Sequence, residues 1–270
     1  MTDAGRVRAY YDSNTWKFLL TSSHRALHRE LWGPGVASRV EAAHHVHALV
    51  LGELGAADRR VLDLGCGVGT AALYLATRRA VDVVGVSVSP AQVKLARRFA
   101  SRSSGSLAGR VHFDVADFTA LPAAYAGFDL AFAVESFVHA DPTDAFFREA
   151  ARVLRPGGAL VVVDDVLVEQ SGHPWVEDFR AGWRVSSLLS VAEIEERAGA
   201  AGLTLAASRD LSGLQRLGRP RDRAVRAAQP ALRALRHRSA WASSMVGGDA
   251  LQRAHRAGLL EYRLLRLVAG

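Results

Sequence analysis

Val61-Leu62-Asp63-Leu64-Gly65-Cys66-Gly67-Val68-Gly69-Thr70 decides the architecture. An apolar run stops at a group of glycines, and a helical pattern starts directly after them. Glycine lets the chain turn sharply and bring its backbone close to a ligand, because no Cβ stands in the way. A helix that begins at such a turn offers unpaired N–H groups to polar ligand atoms. The spacing is G-x-G-x-G, with Asp63 two residues ahead of the first glycine. Dinucleotide folds instead use G-x-G-x-x-G and seat a pyrophosphate at this place.

Working outward, the pattern predicts strands over 60–64, 82–87, 110–114, 128–134 and 159–165. Helices are expected over 40–54, 70–79, 90–101 and 142–153, with Pro90 suited to a first helical turn. Arg155-Pro156-Gly157-Gly158 reads as a turn, and the strand after it is the most apolar, as a central parallel strand should be. Alternating strands and helices imply an α/β domain, a Rossmann-like seven-stranded mostly parallel sheet with helices on both faces and a small helical lid. Beyond Asp165 the regularity breaks. Residues 1–40 are expected to form a leader that acts as a lid, and 41–270 the main domain. Within it, 167–190 reads as an insertion over the site and 219–238 as an arginine-rich helical stretch that Pro230 breaks. A helix over 191–201, a strand over 203–209, a helix over 247–257 and a last strand over 259–268 complete the expectation.

Of the 270 residues, 49% are hydrophobic, enough for one sizeable core. No uncharged apolar run reaches membrane-spanning length, so no membrane span is expected. The opening residues carry no apolar signal-peptide core. The single cysteine, Cys66, excludes an internal disulfide and makes a reduced, cytoplasmic setting the default. A net charge of +7 suits an anionic partner. However, Lys17 and Lys94 are the only lysines and alanine is abundant, which also fits coding bias. The arginines lack interleaved aromatics, so no nucleic-acid partner is expected. His44, His45 and His47 read as a solvated helix face rather than metal ligands. Arginines 216, 219, 221, 223, 226, 233, 236 and 238 are opposed locally only by Asp222; they read as a solvated face that can also hold a diphosphate.

The glycine loop with Asp63 resembles the cofactor motif of class I S-adenosylmethionine-dependent methyltransferases. The resemblance implies that Gly65, Gly67 and Gly69 hold the methionine end of the cofactor, and that Asp63 organises the site near its amino group. A carboxylate suits a ligand bearing an ammonium and a sulfonium, and opposes a pyrophosphate. The second strand ends at Ser87 where most such enzymes carry an acid that meets the ribose diol. Ser87-Val88-Ser89-Pro90-Ala91-Gln92 resembles a variant of the sterol, tocopherol and cyclopropane-type C-methyltransferases, in which Ser87 and Gln92 can satisfy the hydroxyls between them. Ser89-Pro90 is equally a helix N-cap with proline at N1. The resemblance further implies that Asp117 accepts from the adenine amino group and that the Phe118 amide meets a ring nitrogen. Tyr10-Tyr11-Asp12 is similar to the lead-in of the same group, which implies that Tyr11 caps the cofactor carboxylate.

Glu135-Ser136-Phe137-Val138-His139 follows the fourth strand, at the carboxyl edge where open parallel sheets bind ligands. Four-residue spacing puts Glu135 and His139 on one face if this stretch is helical. The pattern resembles that of alkene C-methyltransferases of the sterol, geranyl diphosphate and isopentenyl diphosphate types. In the geranyl diphosphate enzymes a glutamate here deprotonates the cation formed by methyl addition. By that resemblance the acceptor is a small isoprenoid alkene, apolar with an anionic head, and Glu135 is its base, with His139 a second catalytic candidate. Trp32 and Trp183 are candidate aromatic walls for the cation. A diphosphate acceptor would call for Mg2+, although no motif demands a metal. The other reading is an O- or N-methyltransferase of natural-product tailoring, with Glu135 or His139 as an ordinary base. A cofactor-binding protein without catalysis is a third, and a homodimer is compatible with either enzyme reading.

Overall fold

The computed structural model describes residues 28–169 and 172–270. Among these, seven strands form one sheet in the order β3-β2-β1-β4-β5-β7-β6. They are β1 (Arg60–Leu64), β2 (Asp82–Ser87), β3 (Arg110–Val115), β4 (Phe128–Val134), β5 (Leu154–Leu167), β6 (Leu203–Asp210) and β7 (Leu260–Ala269). The first five pair in parallel; β7 runs antiparallel to both β5 and β6, as expected of the last strand. The Rossmann-like class is therefore as the sequence implied.

Helices α1 (Arg39–Gly52), α2 (Thr70–Arg78), α3 (Pro90–Ser103) and α4 (Thr143–Val153) join or flank the parallel strands. Their starts follow local chemistry. Ser38 and Glu41 form a reciprocal capping box on α1, and Ser89 caps α3 with Pro90 in its first turn. Side chains alternate across the sheet because the strand period is two. Leu62, Ala131, Leu160 and Val162 enter one core with Phe146 and Phe147 of α4. Val61, Phe132, Val161 and Val163 enter the opposite core with Leu75 of α2 and Val46 of α1.

After β5 the chain forms α5 (Pro174–Trp183), α6 (Val191–Ala200), then α7 (Pro220–Ala227), α8 (Gln229–Leu235) and α9 (Ala240–Arg256). A third, smaller core joins Val176 and Phe179 of α5 to Ala250, Leu251 and Ala254 of α9 above the carboxyl edge of the sheet.

Three expectations change, and the break near Pro230 holds. The 155–158 turn lies within β5, as an exposed excursion between the pairs Phe128↔Leu154 and Leu130↔Ala159. The arginine-rich stretch is two helices, divided at Ala228 with Pro230 in the first turn of α8. Its arginines meet acids that are distant in sequence: Arg226 pairs with Asp249, and Arg233 and Arg236 pair with Asp178. The helix expected from 247 begins at Ala240, because Gly247 lies inside it where α9 crosses Gly182 of α5; a Cβ on Gly182 would stand 2.7 Å from the Gly247 Cα.

Candidate active site

The carboxyl ends of β1, β2, β4 and β5 surround a cavity of about 190 Å³. On the β1 side, the loop amides of Gly65 and Cys66 donate to the Val86 carbonyl, which holds the loop against β2. Gly65, Gly67 and Gly69 have φ of 98°, 52° and 83°, left-handed geometry that favours glycine. Asp63 lies beneath them, 3% exposed. Burial pushes its carboxyl up to about 8, against a smaller opposing pull from the Ala72 amide. Its Oδ2 is buried with no hydrogen-bond partner among the described residues. A buried carboxylate oxygen left unmatched at a cavity wall fits an incoming cation, such as an ammonium.

Farther along the same cavity, Ser87 Oγ donates to Gln92 Oε1 at 2.8 Å, and both residues are buried. Ser89 Oγ accepts from the Gln92 amide, so the helix-cap reading and the pairing of Ser87 with Gln92 hold together. Asp117 Oδ1 accepts from the Thr119 amide at 2.8 Å and the Thr119 hydroxyl at 2.7 Å. That pinning aims Asp117 into the cavity wall beside Phe118. Asp63, Gly65, Gly67, Ser87, Gln92, Asp117 and Phe118 thus line one cavity, whereas Gly69 stands behind it, packed against Phe113. They fit S-adenosylmethionine: an orphaned carboxylate for the ammonium, two glycines that let the backbone come close, paired polar groups for a diol and an acid beside an aromatic ring.

The opposite wall holds groups the sequence reading missed. Glu135 has φ of 50°, and only the short 3-10 turn Phe137–His139 follows it, so Glu135 and His139 do not share a helix face. Both nevertheless line the cavity. Glu135 Oε1 accepts from the Arg29 amide at 2.9 Å, from Arg29 Nε at 3.1 Å and from the Tyr262 hydroxyl at 3.0 Å. Arg29 Nη1 and Nη2 donate to Asp165 Oδ1 and Oδ2 at 2.9 and 2.7 Å, a fork-to-fork pair. His255 Nε2 meets Asp165 Oδ1 at 2.7 Å, and the Arg29 guanidinium lies 4.2 Å from the centre of the Tyr262 ring.

Burial would raise Asp165, yet Arg29 and His255 hold it down to about 2. Burial pushes neighbouring Asp164 well up, and the charges of Asp165 and Glu135 add to that; its oxygens accept from the Val138 and Asp165 amides. Two adjacent acids at the carboxyl end of β5 were a readable signal for this wall. Arg29 was not, since it lies outside every motif.

His139 Nδ1 lies 3.2 Å from the Arg184 carbonyl oxygen. A neutral imidazole that donates there carries its acceptor lone pair on Nε2. Burial lowers the His139 pKa and so favours the neutral ring, partly offset by the Arg184 carbonyl. Trp183 lines the cavity and donates through Nε1 to the Ser244 carbonyl at 3.1 Å. Trp32, expected as a second wall, stands apart from it: its ring lies under the Arg216 guanidinium, 3.5 Å from the ring centre. Tyr11 and most of the leader lie outside the described residues. The histidine cluster is not a solvated face: His47 is fully buried, with Nε2 at 2.7 Å from His28 Nε2 and Nδ1 at 3.1 Å from His44 Nδ1. No group of three His, Cys, Asp or Glu residues among the described ones is arranged to hold a metal ion, and no helix there is long and apolar enough to cross a membrane.

Residues 61–158 match the family model described as a methyltransferase domain. The chain is 35% identical to 27-O-demethylrifamycin SV methyltransferase of Amycolatopsis mediterranei over 190 residues, 69% of each protein. It is 47% identical to methyltransferase GfsG of Streptomyces halstedii over 111 residues, 41% of this chain and 39% of that one. Over several curated relatives, the match spans between 39% and 51% of their length. Among solved structures, the [4+2]-cyclase SpnF superposes with a TM-score of 0.73 at 28% identity, over 97% of this chain and 94% of SpnF. A geranyl diphosphate methyltransferase superposes with a TM-score of 0.77 over the whole of both chains, at 19% identity, a likeness of fold alone.

Proposed function

The chain belongs to the S-adenosylmethionine-dependent methyltransferases, and from that premise we propose that it methylates a hydroxyl of a small natural-product acceptor, with His139 as the base. One observation carries this reading: His139 lines the same cavity as Asp63 and the glycine loop, with Nδ1 turned to the Arg184 carbonyl. S-adenosylmethionine, when bound, supplies a methyl group made electrophilic by the sulfonium. Asp63 and the loop would hold its methionine end, Ser87 and Gln92 its ribose, and Asp117 with Phe118 its adenine. His139 Nε2 takes the hydroxyl proton as the oxygen attacks, and becomes an imidazolium. Trp183 supplies an apolar wall that helps keep water from the reacting centre.

The alkene reading makes Glu135 the base. Three donors already converge on Glu135 Oε1, and one of them is the Arg29 guanidinium. Those contacts make Glu135 the anchor of the Arg29 wall. The name of the rifamycin relative, an O-methyltransferase activity, supports the hydroxyl reading.

Labelled S-adenosylmethionine with 4-hydroxycinnamate or geranyl diphosphate separates the two, since the first offers a hydroxyl and the second an alkene without one. The expected product carries its new methyl on oxygen, located by NMR. Preferred turnover of geranyl diphosphate, with the methyl on carbon, would overturn the proposal. Cofactor binding without transfer to a broad hydroxyl panel would remove the methyl-transfer reading altogether.

A further inference from the structure

A second cavity, about 340 Å³, adjoins the first and shares His28, Arg29, Trp183 and Ser244 with it. Its far wall comes from the segment after β6, with Gln215, Arg216, Arg219 and Arg221, and from Arg39 of α1. Most of its charges are already matched. Glu30 pairs with Arg39 at 2.8 Å and with Arg219 at 3.0 Å. Asp222 Oδ2 accepts from the Arg219 amide at 2.8 Å, and Asp249 pairs with Arg226 and Arg253.

Two cations meet no carboxylate among the described residues. Arg216 meets no carboxylate among the described residues; its guanidinium rests on the Trp32 ring. Arg221, at the rim, makes no ion pair among them either. A buried donor adds to this. Gln215 Oε1 accepts from Arg29 Nη1 at 3.2 Å, which leaves Gln215 Nε2 as the amide's donor end, buried and without a partner among the described residues. An unmatched buried N–H costs free energy until an acceptor reaches it. Among the described residues, the cavity wall therefore offers one orphaned neutral donor and two guanidiniums that meet no carboxylate, while its own carboxylates are taken. Arginine's planar fork matches the paired oxygens of a carboxylate or phosphate.

We propose that this second cavity binds an oxyanion, a carboxylate or a phosphate ester, carried by the methyl acceptor. Gln215 Nε2 and Arg216 donate to it, and Arg221 guards its rim. The acceptor then spans both cavities: its reacting hydroxyl faces His139, its middle passes Trp183 and Ser244, and its anion lies against Arg216. This inference rests on the methyl-transfer reading of the first cavity for what the ligand is, but not for whether an anion binds.

The test is calorimetric binding to the protein saturated with S-adenosylhomocysteine, using two matched pairs. One pair is 4-hydroxycinnamate and its methyl ester; the other is geranyl phosphate and geraniol. The anion should bind at least tenfold more tightly than its neutral partner in one pair or both, and the pair that shows it identifies carboxylate or phosphate. The preference should fall below threefold in the double variant Arg216→Ala/Arg221→Ala, with affinity for S-adenosylhomocysteine held within twofold. Gln215→Glu keeps the oxygen that accepts from Arg29 but replaces the donor with a charge, and should abolish the preference by itself. Neutral partners that bind as tightly as the anions in both pairs would overturn the proposal, as would a preference that survives the double variant. Because the readout is binding, absence of methyl transfer sinks only the reading of the first cavity, and methyl transfer without anion preference sinks only this one.

Discussion

The hydroxyl of Tyr262 donates to Glu135 Oε1 at 3.0 Å, so antiparallel β7 is tied to the end of β4 across the intervening β5. Arg29 lies on the same ring and on the same carboxylate, and passes on to Asp165. Four separate segments, that of Arg29, the end of β4, β5 and β7, thus meet through one guanidinium. This wall faces the cofactor residues across the cavity.

The wall should show graded stability. Tyr262→Phe removes one hydrogen bond and should cost about 1 kcal/mol. Arg29→Met takes the guanidinium from both Asp165 and Glu135 in a largely buried place, leaving His255 and Tyr262 as their remaining partners, and should cost about 3–5 kcal/mol. Because Asp165 is held near 2 in the folded chain and would sit at about 3.9 unfolded, its contribution is present above the unfolded value and lost as pH falls through the folded one. Denaturant unfolding at stepped pH should therefore show a loss below about pH 4 that is blunted in Arg29→Met. Equal destabilisation by the two variants would remove Arg29 from the centre of this network.

Asp63 carries the opposite sign. Its folded value of about 8 lies above the unfolded one, so the ligand-free protein loses stability as pH rises between the two. A bound ammonium favours the carboxylate. Binding of S-adenosylmethionine at neutral pH should then release close to one proton, which calorimetry in buffers of different ionisation enthalpy measures. Asp63→Asn should abolish the release and weaken binding at least tenfold, since a charged hydrogen bond contributes about 1.5–3 kcal/mol. Undiminished proton release in Asp63→Asn would assign the proton to another group.

His139 is depressed by burial, so its neutral, proton-accepting form persists to lower pH than an ordinary imidazole allows. The rate should stay level through neutral pH and fall only on the acid side of about 6.5. His139→Ala should lower kcat by about a hundredfold to ten-thousandfold and erase that limb, with cofactor affinity within a few-fold. An acid limb that survives in His139→Ala would move the base elsewhere.

Gly65→Ala tests the loop. At φ of 98° an added Cβ would lie 2.5 Å from Ser136 Cβ and 2.8 Å from its Oγ, while Ser136 Oγ donates to the Leu64 carbonyl. The variant should lose cofactor binding and about 1–3 kcal/mol of stability. Adding Ser136→Gly should restore part of the stability, because it clears the collision and leaves the backbone strain. A silent Gly65→Ala would show that the loop can yield.

Reading the chain succeeded where determinants are adjacent. β1, β2 and β4 begin and end where their apolar patterns do, and Ser89-Pro90 marks the start of α3 within one residue. It faltered where a residue answers to a distant partner. Gly247-Gly248 reads as a helix boundary, yet Gly247 is inside α9 because the backbone of Gly182 needs that space. His47 reads as solvated by its neighbours in sequence, yet His28 and Tyr74 pack on its ring. Trp32 reads as an acceptor wall, yet Arg216 covers it.

The sequence alone determined the strand, loop and helix start on one side of the cavity. A strand, a glycine turn and a helix start are local objects, set by backbone sterics and by free amides at a helix end, and they occupy ten consecutive residues. Tertiary structure alone decided the opposite wall. Whether Glu135 is a free base or one end of an ion pair depends on Arg29, Tyr262 and Asp165, which lie far from it along the chain. Coulombic attraction and desolvation act over a few ångströms of space, whatever the separation in sequence. The same acid therefore reads one way in its motif and another in its site.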